Sequence, residues 1–387
     1  MNGVSNQSGQ LSPGSAGLAD AAHSELPLEL LFHQGSARPS EIISALSRSA
    51  FEPLVPSSVW SGFATIAEDI SVPVHTFFLE CRLHEKSART DFGVGLLPGC
   101  RIANWAGQFG TRKDISSGWL RIAAFLEAWA AARSPWTNSV PLLYLAFDCE
   151  SSGAPRAIPC LSLCVDRHFF ARRDGQNNPP PAAAEHVLEL IQQSHLALTG
   201  SSLPRRASDR FRLLTAGGEV ELRHVSFMLS RPAAPAKLDV RLPLARLAPY
   251  LESWRSPNAT GVSAALGELV PLQDHVQLNL PLEPRAARRL EVELFAGRVR
   301  DSRRERFELL ERLAACGLAA RDKVRILRGI HELPLSELAN GTLLGANFYI
   351  KLCFDEGELR EAKAYLGFMP KVRPALMGHA FPHSGAS

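Results

Sequence analysis

Apolar and polar residues alternate along ten short segments of this chain, and these segments fall into five pairs. A few turn-prone residues join the members of each pair, as in a β-hairpin. The pairs cover residues 73–84 with 89–97, 140–150 with 156–166, 221–230 with 237–244, 275–282 with 288–295, and 346–355 with 360–368. Between the pairs, apolar residues recur at helical spacing. The sequence therefore predicts five repeats of helix and antiparallel hairpin.

The helical runs are defined by apolar residues three and four positions apart. They predict helices near 117–133 and 183–198, one after residue 260, one from 307 to 316 with a shorter partner at 322–327, and one after residue 40. Thr260 directly precedes the run that begins at Val262. A threonine hydroxyl can accept a hydrogen bond from the first turn of a helix, so we expect Thr260 to be the N-cap.

The polar faces of the strands carry a patterned set of charges and rings. In the ninth strand, Tyr349 and Lys351 share one face, while Ile350 and Leu352 share the other, because side chains alternate along a strand. Other polar faces carry Thr76, Phe78, Glu80 and Arg82; Lys237, Asp239 and Arg241; His275, Gln277 and Asn279; and Glu361, Lys363 and Tyr365. The apolar face of each strand gives the amphipathic helices a surface to cover.

Ten antiparallel strands with helices on one face can form an open sheet or close into a barrel. Closure removes both exposed edges, and a barrel of this size leaves a lumen wide enough for a ligand. We therefore expect an α+β fold: a closed ten-stranded antiparallel barrel of five helix/β-hairpin repeats, with helices outside and a polar lumen inside. An open sheet with a solvated polar face is the alternative.

Composition narrows the classes of protein. The 387 residues are 45% hydrophobic, and 42 Lys and Arg against 39 Asp and Glu give a net charge of only +3, which does not indicate nucleic acid or a membrane surface as a partner. No run approaches the ~18 apolar residues of a membrane helix, and no basic leader precedes residue 38, so we expect a soluble, cytoplasmic protein. Residues 1–25 and 372–387 contain few large apolar groups, and we expect disordered tails around a single domain at 26–371.

Cysteine spacing gives no metal or disulfide framework. The seven cysteines are an odd number, without a C-x-x-C pair or zinc-finger spacing, which suits a reducing cytosol. Cys160 and Cys164 share one strand face. Two interpretations of this pair are open: a metal or redox role, and packing as small core residues.

Five repeats of helix and antiparallel hairpin around a polar lumen resemble the prenyltransferase barrel, the αββα fold of soluble aromatic prenyltransferases. The resemblance spans residues 28–371 and lies in the architecture, without a sharp motif. It implies that Glu80 acts on an aromatic acceptor as the catalytic base. It further implies that an allylic diphosphate is bound by Arg82, Lys237, Arg241, Tyr349, Lys351, Lys363 and Tyr365, with the Lys and Arg side chains converging on one pocket.

The chemistry of prenyl transfer needs these residue types. Lysine and arginine can neutralise a departing diphosphate without a metal ion or other cofactor. Tyrosine rings can shield an allylic cation from water, and a carboxylate can take the proton that the acceptor loses. The chain has only seven lysines, and three of them lie on these faces. As a purely structural residue, Glu80 would instead neutralise Arg82.

Acidic residues on the same faces leave the function open. Asp148, Asp239, Glu291 and Glu293 would oppose a diphosphate in the lumen. The first hypothesis is a prenyltransferase that transfers an allylic isoprenoid to an aromatic or peptide acceptor in natural-product biosynthesis. The second is a non-catalytic barrel that binds a peptide or small-molecule intermediate, and the third is a repeat whose polar face meets a partner protein. The sequence predicts neither the acceptor, nor the isoprenoid length, nor the oligomeric state.

Overall fold

A computed structural model gives the fold of this chain. It describes residues 37–371 apart from 49–50, 85–88, 111–114, 132–133, 135, 137–138, 151–153, 166–180, 216–219, 232–235, 255, 257, 271–273, 283–288, 295–301, 331–337 and 339–341. The tails predicted at 1–25 and 372–387 lie outside the described residues.

Ten strands and ten helices make up the described part of the chain. The strands are β1 Thr76–Arg82, β2 Thr90–Leu96, β3 Leu142–Phe147, β4 Cys160–Cys164, β5 Glu221–Phe227, β6 Ala236–Pro243, β7 His275–Pro281, β8 Arg289–Leu294, β9 Leu343–Asp355 and β10 Glu358–Lys371. The helices are α1 Pro39–Leu46, α2 Ser57–Asp69, α3 Cys100–Phe109, α4 Ser117–Ala130, α5 Pro181–Thr199, α6 Arg205–Thr215, α7 Leu247–Ser253, α8 Ala259–Leu269, α9 Ser302–Ala315 and α10 Arg321–Gly329.

The strands form a closed barrel in which sequence neighbours are also neighbours in space. The order is β1-β10-β9-β8-β7-β6-β5-β4-β3-β2, and every pairing is antiparallel. The first and last strands close the sheet, with Phe77 opposite Phe368 and Arg82 opposite Lys363. The predicted closed barrel is therefore confirmed, and the open sheet is excluded.

Two helices precede each hairpin, whereas the sequence pattern predicted a pair only before the last one. Helices α2, α3, α6 and α7 were missed. Helix α3 carried a usable signal, because its buried residues Ile102, Trp105, Ala106 and Phe109 are three and four positions apart. The short helix α7 buries only Leu247 and Leu251, which is too few for a recognisable period.

One face of the strands belongs to an apolar core that the helices share. In β1, partly buried and buried residues alternate, and Phe77, Leu79 and Cys81 are fully buried. Phe92 of β2 lies 4.5 Å from Phe63 of α2, measured between ring centroids, so the helices pack against the apolar side of the sheet. Burying a large apolar side chain of this kind stabilises the fold by roughly 1.5–3 kcal/mol.

Buried tryptophans join the helices to the sheet and its loops. Their indole N–H groups donate to backbone carbonyls: Trp105 to Asp69 at 2.8 Å and Trp129 to Val140 at 2.9 Å. Because a buried donor without an acceptor is costly, these bonds fix where each helix sits. None of the described helices is both long enough and apolar enough to span a lipid bilayer.

The N-cap of α8 differs from the prediction. Asn258, not Thr260, caps the helix, and its side-chain oxygen accepts a hydrogen bond from the Gly261 N–H at 3.1 Å. Asn258 has φ +50°, a left-handed conformation that asparagine tolerates better than threonine. The β9–β10 turn approaches this cap closely, because a Cβ on Gly357 would lie 2.4 Å from the Asn258 Cβ.

Candidate functional site

The inward faces of the strands line a polar cavity of about 350 Å³. Three of the four tyrosines and three of the seven lysines of the chain lie in its wall: Tyr144, Tyr349 and Tyr365, with Lys237, Lys351 and Lys363. These residues come from four strands and meet because alternation turns them all to the same side of the sheet. The cavity is therefore a lumen with a concentrated set of ionisable and aromatic groups.

Aromatic rings form one wall of the lumen. Tyr349 and Tyr365 are stacked with centroids 4.8 Å apart, and Phe78 lies 6.2 Å from Tyr365 and 5.6 Å from Tyr144. Gly93 on β2 leaves room for Phe78, since a Cβ at this position would lie 2.2 Å from the Phe78 ring. The result is a continuous ring surface on which a flat or cationic ligand can stack.

Glu80 and Lys363 form an ion pair across the β1–β10 seam. The Lys363 Nζ donates to Glu80 Oε1 at 2.5 Å. Burial raises the pKa of Glu80, but the charges of Lys363 and Lys351 outweigh it and hold that pKa below its usual value. Burial lowers the pKa of Lys363, and the charge of Glu80 more than compensates for this. Glu80 is thus an ionised carboxylate with an ammonium beside it, and the expected pairing of Glu80 with Arg82 is wrong.

Lys351 is the most heavily shared cation of the lumen. Its Nζ donates to Glu293 Oε1 at 2.9 Å, to Asn279 Oδ1 at 3.0 Å and to the Tyr365 hydroxyl at 2.9 Å. Glu291 lies 3.8 Å from the same nitrogen. Burial lowers the pKa of Lys351, but Glu293 and Glu291 raise it overall, so this side chain stays charged.

The pKa values of the two glutamates of β8 are shifted in opposite directions. Burial raises the pKa of both, but Lys237 and Lys351 reverse the effect at Glu291 and hold its pKa well below the usual value. Lys237 Nζ lies 3.2 Å from Glu291 Oε2. At Glu293 burial prevails over Lys351, and the pKa is raised. Of these two glutamates, Glu293 is therefore the one that takes up a proton more readily.

Arg82 and Arg241 are not among the residues that line the cavity. Arg82 ends β1 at the hairpin side of the barrel, where its Nε lies 2.6 Å from Glu361. Arg241 lies towards the other end of the barrel, 3.9 Å from Glu221. The strands β1 and β6 run in opposite directions. Residues near their C-terminal ends therefore lie at opposite ends of the barrel, even when both side chains are on the inward face. Three of the five predicted cations converge on the lumen, and these two do not.

Positive charge does not exceed negative charge in the lining. The carboxylates are Glu80, Asp91, Asp148, Asp239, Glu291 and Glu293. The basic groups are Arg223, Arg231, Lys237, Lys351, Lys363 and the imidazole of His224. The acidic residues that the sequence placed on these faces therefore lie inside the lumen, and its lysines are already paired.

The structure also places an ion pair that the sequence analysis missed. His224 Nδ1 lies 3.2 Å from Asp239 Oδ2. Burial lowers the pKa of His224, but the Cys164 thiol and the Asp239 carboxylate raise it to about 10. A register shift between Leu222 and His224 marks an irregularity in β5, and both Arg223 and His224 line the cavity. The signal that the sequence analysis missed was therefore a break in the strand alternation, at which two consecutive residues face the cavity.

Asp148 accepts hydrogen bonds at the end of the lumen where the two strands of each hairpin are joined. Arg231 and the Ser230 hydroxyl both donate to its carboxylate, the latter at 2.6 Å. Burial raises the pKa of Asp148, but these two donors lower it to about 2.

The described residues contain no group of three or more His, Cys, Asp or Glu side chains arranged to hold a metal ion. The charged and aromatic groups that face the lumen are suited to bind an anion, a cation or a ring.

Comparison with known proteins shows that this chain is similar in fold to solved structures. No protein-family model matches the chain, and a search of curated proteins found no match. The solved structure described as "Crystal Structure of Prenyltransferase PriB Apo Form" is 13% identical, with 88% of this chain and 99% of that chain covered and a TM-score of 0.49. A "6-dimethylallyl tryptophan synthase" is 10% identical, with 86% and 97% covered and a TM-score of 0.44. At such identities the similarity concerns architecture and not chemistry.

Proposed function

We propose that this chain is a prenyltransferase, which moves an allylic isoprenyl group from its diphosphate to an aromatic acceptor inside the barrel. One observation carries the proposal. A single cavity holds an ionised carboxylate, Glu80, two buried lysines, Lys351 and Lys363, and the stacked rings of Tyr349 and Tyr365. These are the base, the cations and the shield that this substitution requires.

The two lysines are placed to hold the diphosphate. Lys351 and Lys363 face each other on neighbouring strands, and the Tyr365 hydroxyl lies 2.9 Å from Lys351 Nζ. Two ammonium groups and a phenol can donate to phosphate oxygens at once. Because charge grows on the diphosphate as the allylic C–O bond breaks, fixed cations here stabilise the transition state more than the ground state.

The aromatic wall is placed to hold the organic reactants. Electron-rich rings attract a delocalised allylic cation and exclude the water that would quench it. The wall formed by Phe78, Tyr144, Tyr349 and Tyr365 also offers a stacking surface for the acceptor ring. The acceptor and the isoprenyl chain would then stack on these rings, with the Lys351 ammonium 4.5 Å from the centre of the Tyr365 ring.

Glu80 takes the proton that the acceptor ring loses after alkylation. It is ionised, and Phe78 of the aromatic wall lies two residues away on the same face of β1. Protonation of Glu80 removes the counter-charge of Lys363. Because the diphosphate has already left when this proton is lost, the freed ammonium can then hold the diphosphate product.

The proposed physiological role is natural-product biosynthesis in the cytoplasm. The volume of about 350 Å³ accommodates a small aromatic molecule or one aromatic side chain of a peptide together with a short isoprenoid. All seven cysteines are free thiols, as a reducing compartment allows.

The balanced charge of the lumen favours a second candidate function, a non-catalytic barrel that binds a neutral or zwitterionic intermediate. Lys237, Lys351 and Lys363 each already have a carboxylate partner within 3.2 Å. A ligand without net charge would bind without separating these pairs. The two functions differ in whether a diphosphate binds.

Calorimetry with dimethylallyl diphosphate in a buffer with EDTA tests the proposal. We expect micromolar binding, which Lys351→Met weakens by about 1.5–3 kcal/mol, the scale of a hydrogen bond to a charged group. The double variant K351M/E293Q repeats the measurement without an unpaired buried carboxylate. Lys371→Met, which changes an exposed lysine at the end of β10, is the matched control and should bind like the parent protein. A folded protein that binds indoles but no diphosphate would support the second candidate.

A further inference from the structure

Successive inward positions on β10 change in chemistry along the barrel axis. Lys363, Tyr365 and Gly367 follow one another on this face, and all three line the cavity. Lys351 and Tyr349 of β9 lie opposite the first two. We call these positions the lysine level, which is nearest to the β9–β10 turn, the tyrosine level and the glycine level. Because a strand rises by about 3.4 Å per residue, successive levels are roughly 7 Å apart.

The glycine level contains unfilled space. A Cβ on Gly367 would meet no atom of the described residues within 4 Å. Its neighbour on β1 is Phe78, whose ring occupies the space over Gly93 instead. Its neighbour on β9 is Asn347, whose side-chain oxygen accepts a hydrogen bond from Arg306 at 2.8 Å. Both neighbouring side chains are thus held elsewhere, which leaves the space over Gly367 open to a ligand.

Open space of this kind is a local feature of the barrel. Gly93 and Gly95 of β2 also lie on inward positions, and side chains fill the space over both of them. A Cβ on Gly93 would lie 2.2 Å from the Phe78 ring, and a Cβ on Gly95 would lie 3.0 Å from the Tyr144 ring. The space over Gly367, directly beyond the stacked tyrosines, has no such occupant among the described residues.

The wall around this space is uncharged along β10 and β1. Beyond the tyrosine level, the cavity-lining residues of these strands are Gly367, Phe78 and Thr76. The charged lining residue of β1, Glu80, lies opposite Tyr365 and therefore at the tyrosine level. A hydrocarbon group suits such a space, because it buries apolar surface there without desolvating a charged side chain.

We propose that the space over Gly367 holds the second isoprene unit of a geranyl chain, so that geranyl diphosphate is preferred to dimethylallyl diphosphate as the donor. The inference rests on the proposed prenyl transfer, in which the diphosphate lies at the lysine level and the allylic carbon at the tyrosine level. The remainder of a linear isoprenoid then points away from the lysines. Gly367 is the next inward position in that direction and is thus the residue that determines chain length.

Calorimetry on the full chain with dimethylallyl and geranyl diphosphate, in a buffer with EDTA, tests this inference. We expect the parent protein to bind geranyl diphosphate about tenfold more tightly, because the longer chain buries a second isoprene unit. Gly367→Leu fills the space. It should weaken the binding of geranyl diphosphate by about tenfold or more and change that of dimethylallyl diphosphate by less than about twofold.

Gly107→Leu is the matched control. Gly107 on α3 is exposed, and a Cβ there also meets no atom of the described residues within 4 Å. The control adds the same side chain outside the lumen and should leave both affinities at the parent values. Gly367→Ala, a smaller change, should shift the preference in the same direction as Gly367→Leu by a smaller factor. Circular dichroism reports whether each variant is folded, and the comparison of the two donors on the parent protein needs no variant.

Several results would overturn the inference and leave the proposed function in place. They are equal or weaker binding of geranyl diphosphate by the parent protein, an equal loss of both diphosphates in folded Gly367→Leu, and unchanged affinities in that variant. A loss of indole binding alone in Gly367→Leu would assign the space to the acceptor. A parent protein that binds neither diphosphate is a different result, because it overturns the proposed function and this inference with it.

Discussion

At the scale of the residue, the lumen is governed by shared partners. Lys351 donates hydrogen bonds to Glu293, Asn279 and Tyr365 at once. Glu291 lies between Lys351 and Lys237. A charged ligand cannot enter without changing one of these pairs. Under the proposed function, a change in the protonation of one of these carboxylates should therefore change the affinity for diphosphate.

Glu80→Gln should separate the base from the binding site. The amide oxygen still accepts from Lys363, so folding and diphosphate binding should stay nearly intact, while turnover falls by roughly 10²–10⁴-fold. Steady-state rates at saturating diphosphate, with calorimetry on the same sample, measure the two effects. Glu361→Gln changes a carboxylate outside the lining and should leave turnover unchanged. If Glu80→Gln keeps its turnover or fails to fold, Glu80 is not the base.

Diphosphate binding should take up a proton at Glu293. Burial already raises the pKa of this carboxylate, and a diphosphate that draws Lys351 away raises it further. Affinity should therefore weaken as pH increases through that pKa, which lies above the ordinary glutamate value of about 4.3. Glu293→Gln should bind about tenfold tighter at neutral pH, ~1.4 kcal/mol, and lose this pH dependence.

Glu291→Gln is the matched comparison, since Glu291 lies on the same face of β8 but has a lowered pKa and stays ionised. It should keep the pH dependence of diphosphate binding. Calorimetry in buffers of different ionisation enthalpy counts the protons directly. Equal pH profiles for the parent protein and Glu293→Gln would refute the link to Glu293.

Some of these residue-scale features follow from the sequence and others do not. The period of two is local, so it correctly turned Lys237, Lys351 and Lys363 to the inside. The partner of Glu80 depends on how β1 meets β10, and that register exists only once the barrel closes. For this reason the sequence suggested Arg82, a neighbour on the same strand, and could not indicate Lys363.

At the scale of the element, two glycines on cavity-facing positions of the barrel differ in the space around them. A Cβ on Gly93 of β2 would lie 2.2 Å from the Phe78 ring and 2.6 Å from the Leu145 carbonyl oxygen. A Cβ on Gly367 of β10 meets no atom within 4 Å. One glycine admits a ring into the wall, and the other leaves space open.

Gly93→Ala should therefore be destabilising, by about 1–3 kcal/mol, because neither the strand backbone nor the ring can move freely. Gly367→Ala should unfold like the parent protein. Urea unfolding followed by circular dichroism measures both. A Gly93→Ala variant as stable as Gly367→Ala would show that Phe78 has another position available.

Helix pairs and caps were harder to predict than strands. Four helices were missed. The helix α7 buries only two side chains and so has no measurable period, whereas α3 carried a periodic signal that was overlooked. At α8 the cap prediction was wrong because Asn258 lies outside the apolar run that defined the helix. The errors at α7 and at the cap of α8 concern a short helix and a helix end, where tertiary packing decides the outcome.

At the scale of the whole molecule, buried ion pairs tie the stability of the barrel to pH. The pKa of Asp148 is lowered to about 2, and the pKa values of Glu80 and Glu291 are also lowered. The native state binds fewer protons here than the unfolded chain, so this stability is present above about pH 4 and is lost as pH falls. Glu293 acts in the opposite direction.

The unfolding free energy should accordingly fall between about pH 4 and pH 2, by about 2 kcal/mol from Asp148 alone. Urea titrations across this range test it. Asp148→Asn should flatten the decline, whereas Glu185→Gln, which alters a fully exposed ion pair with Arg212, should leave it unchanged. A decline of equal slope in Asp148→Asn would assign the acid sensitivity to other groups.

The seam between the first and last strands has a consequence for how the protein is made. Glu80 and Lys363 are 283 positions apart, and a ribosome synthesises the first long before the second. Until β10 is inserted, β1 and β9 present open strand edges, which invite pairing with other chains. Contacts this distant in sequence also form slowly. We therefore expect the barrel to close only after its last strand has been synthesised, with two strand edges open to other chains until then.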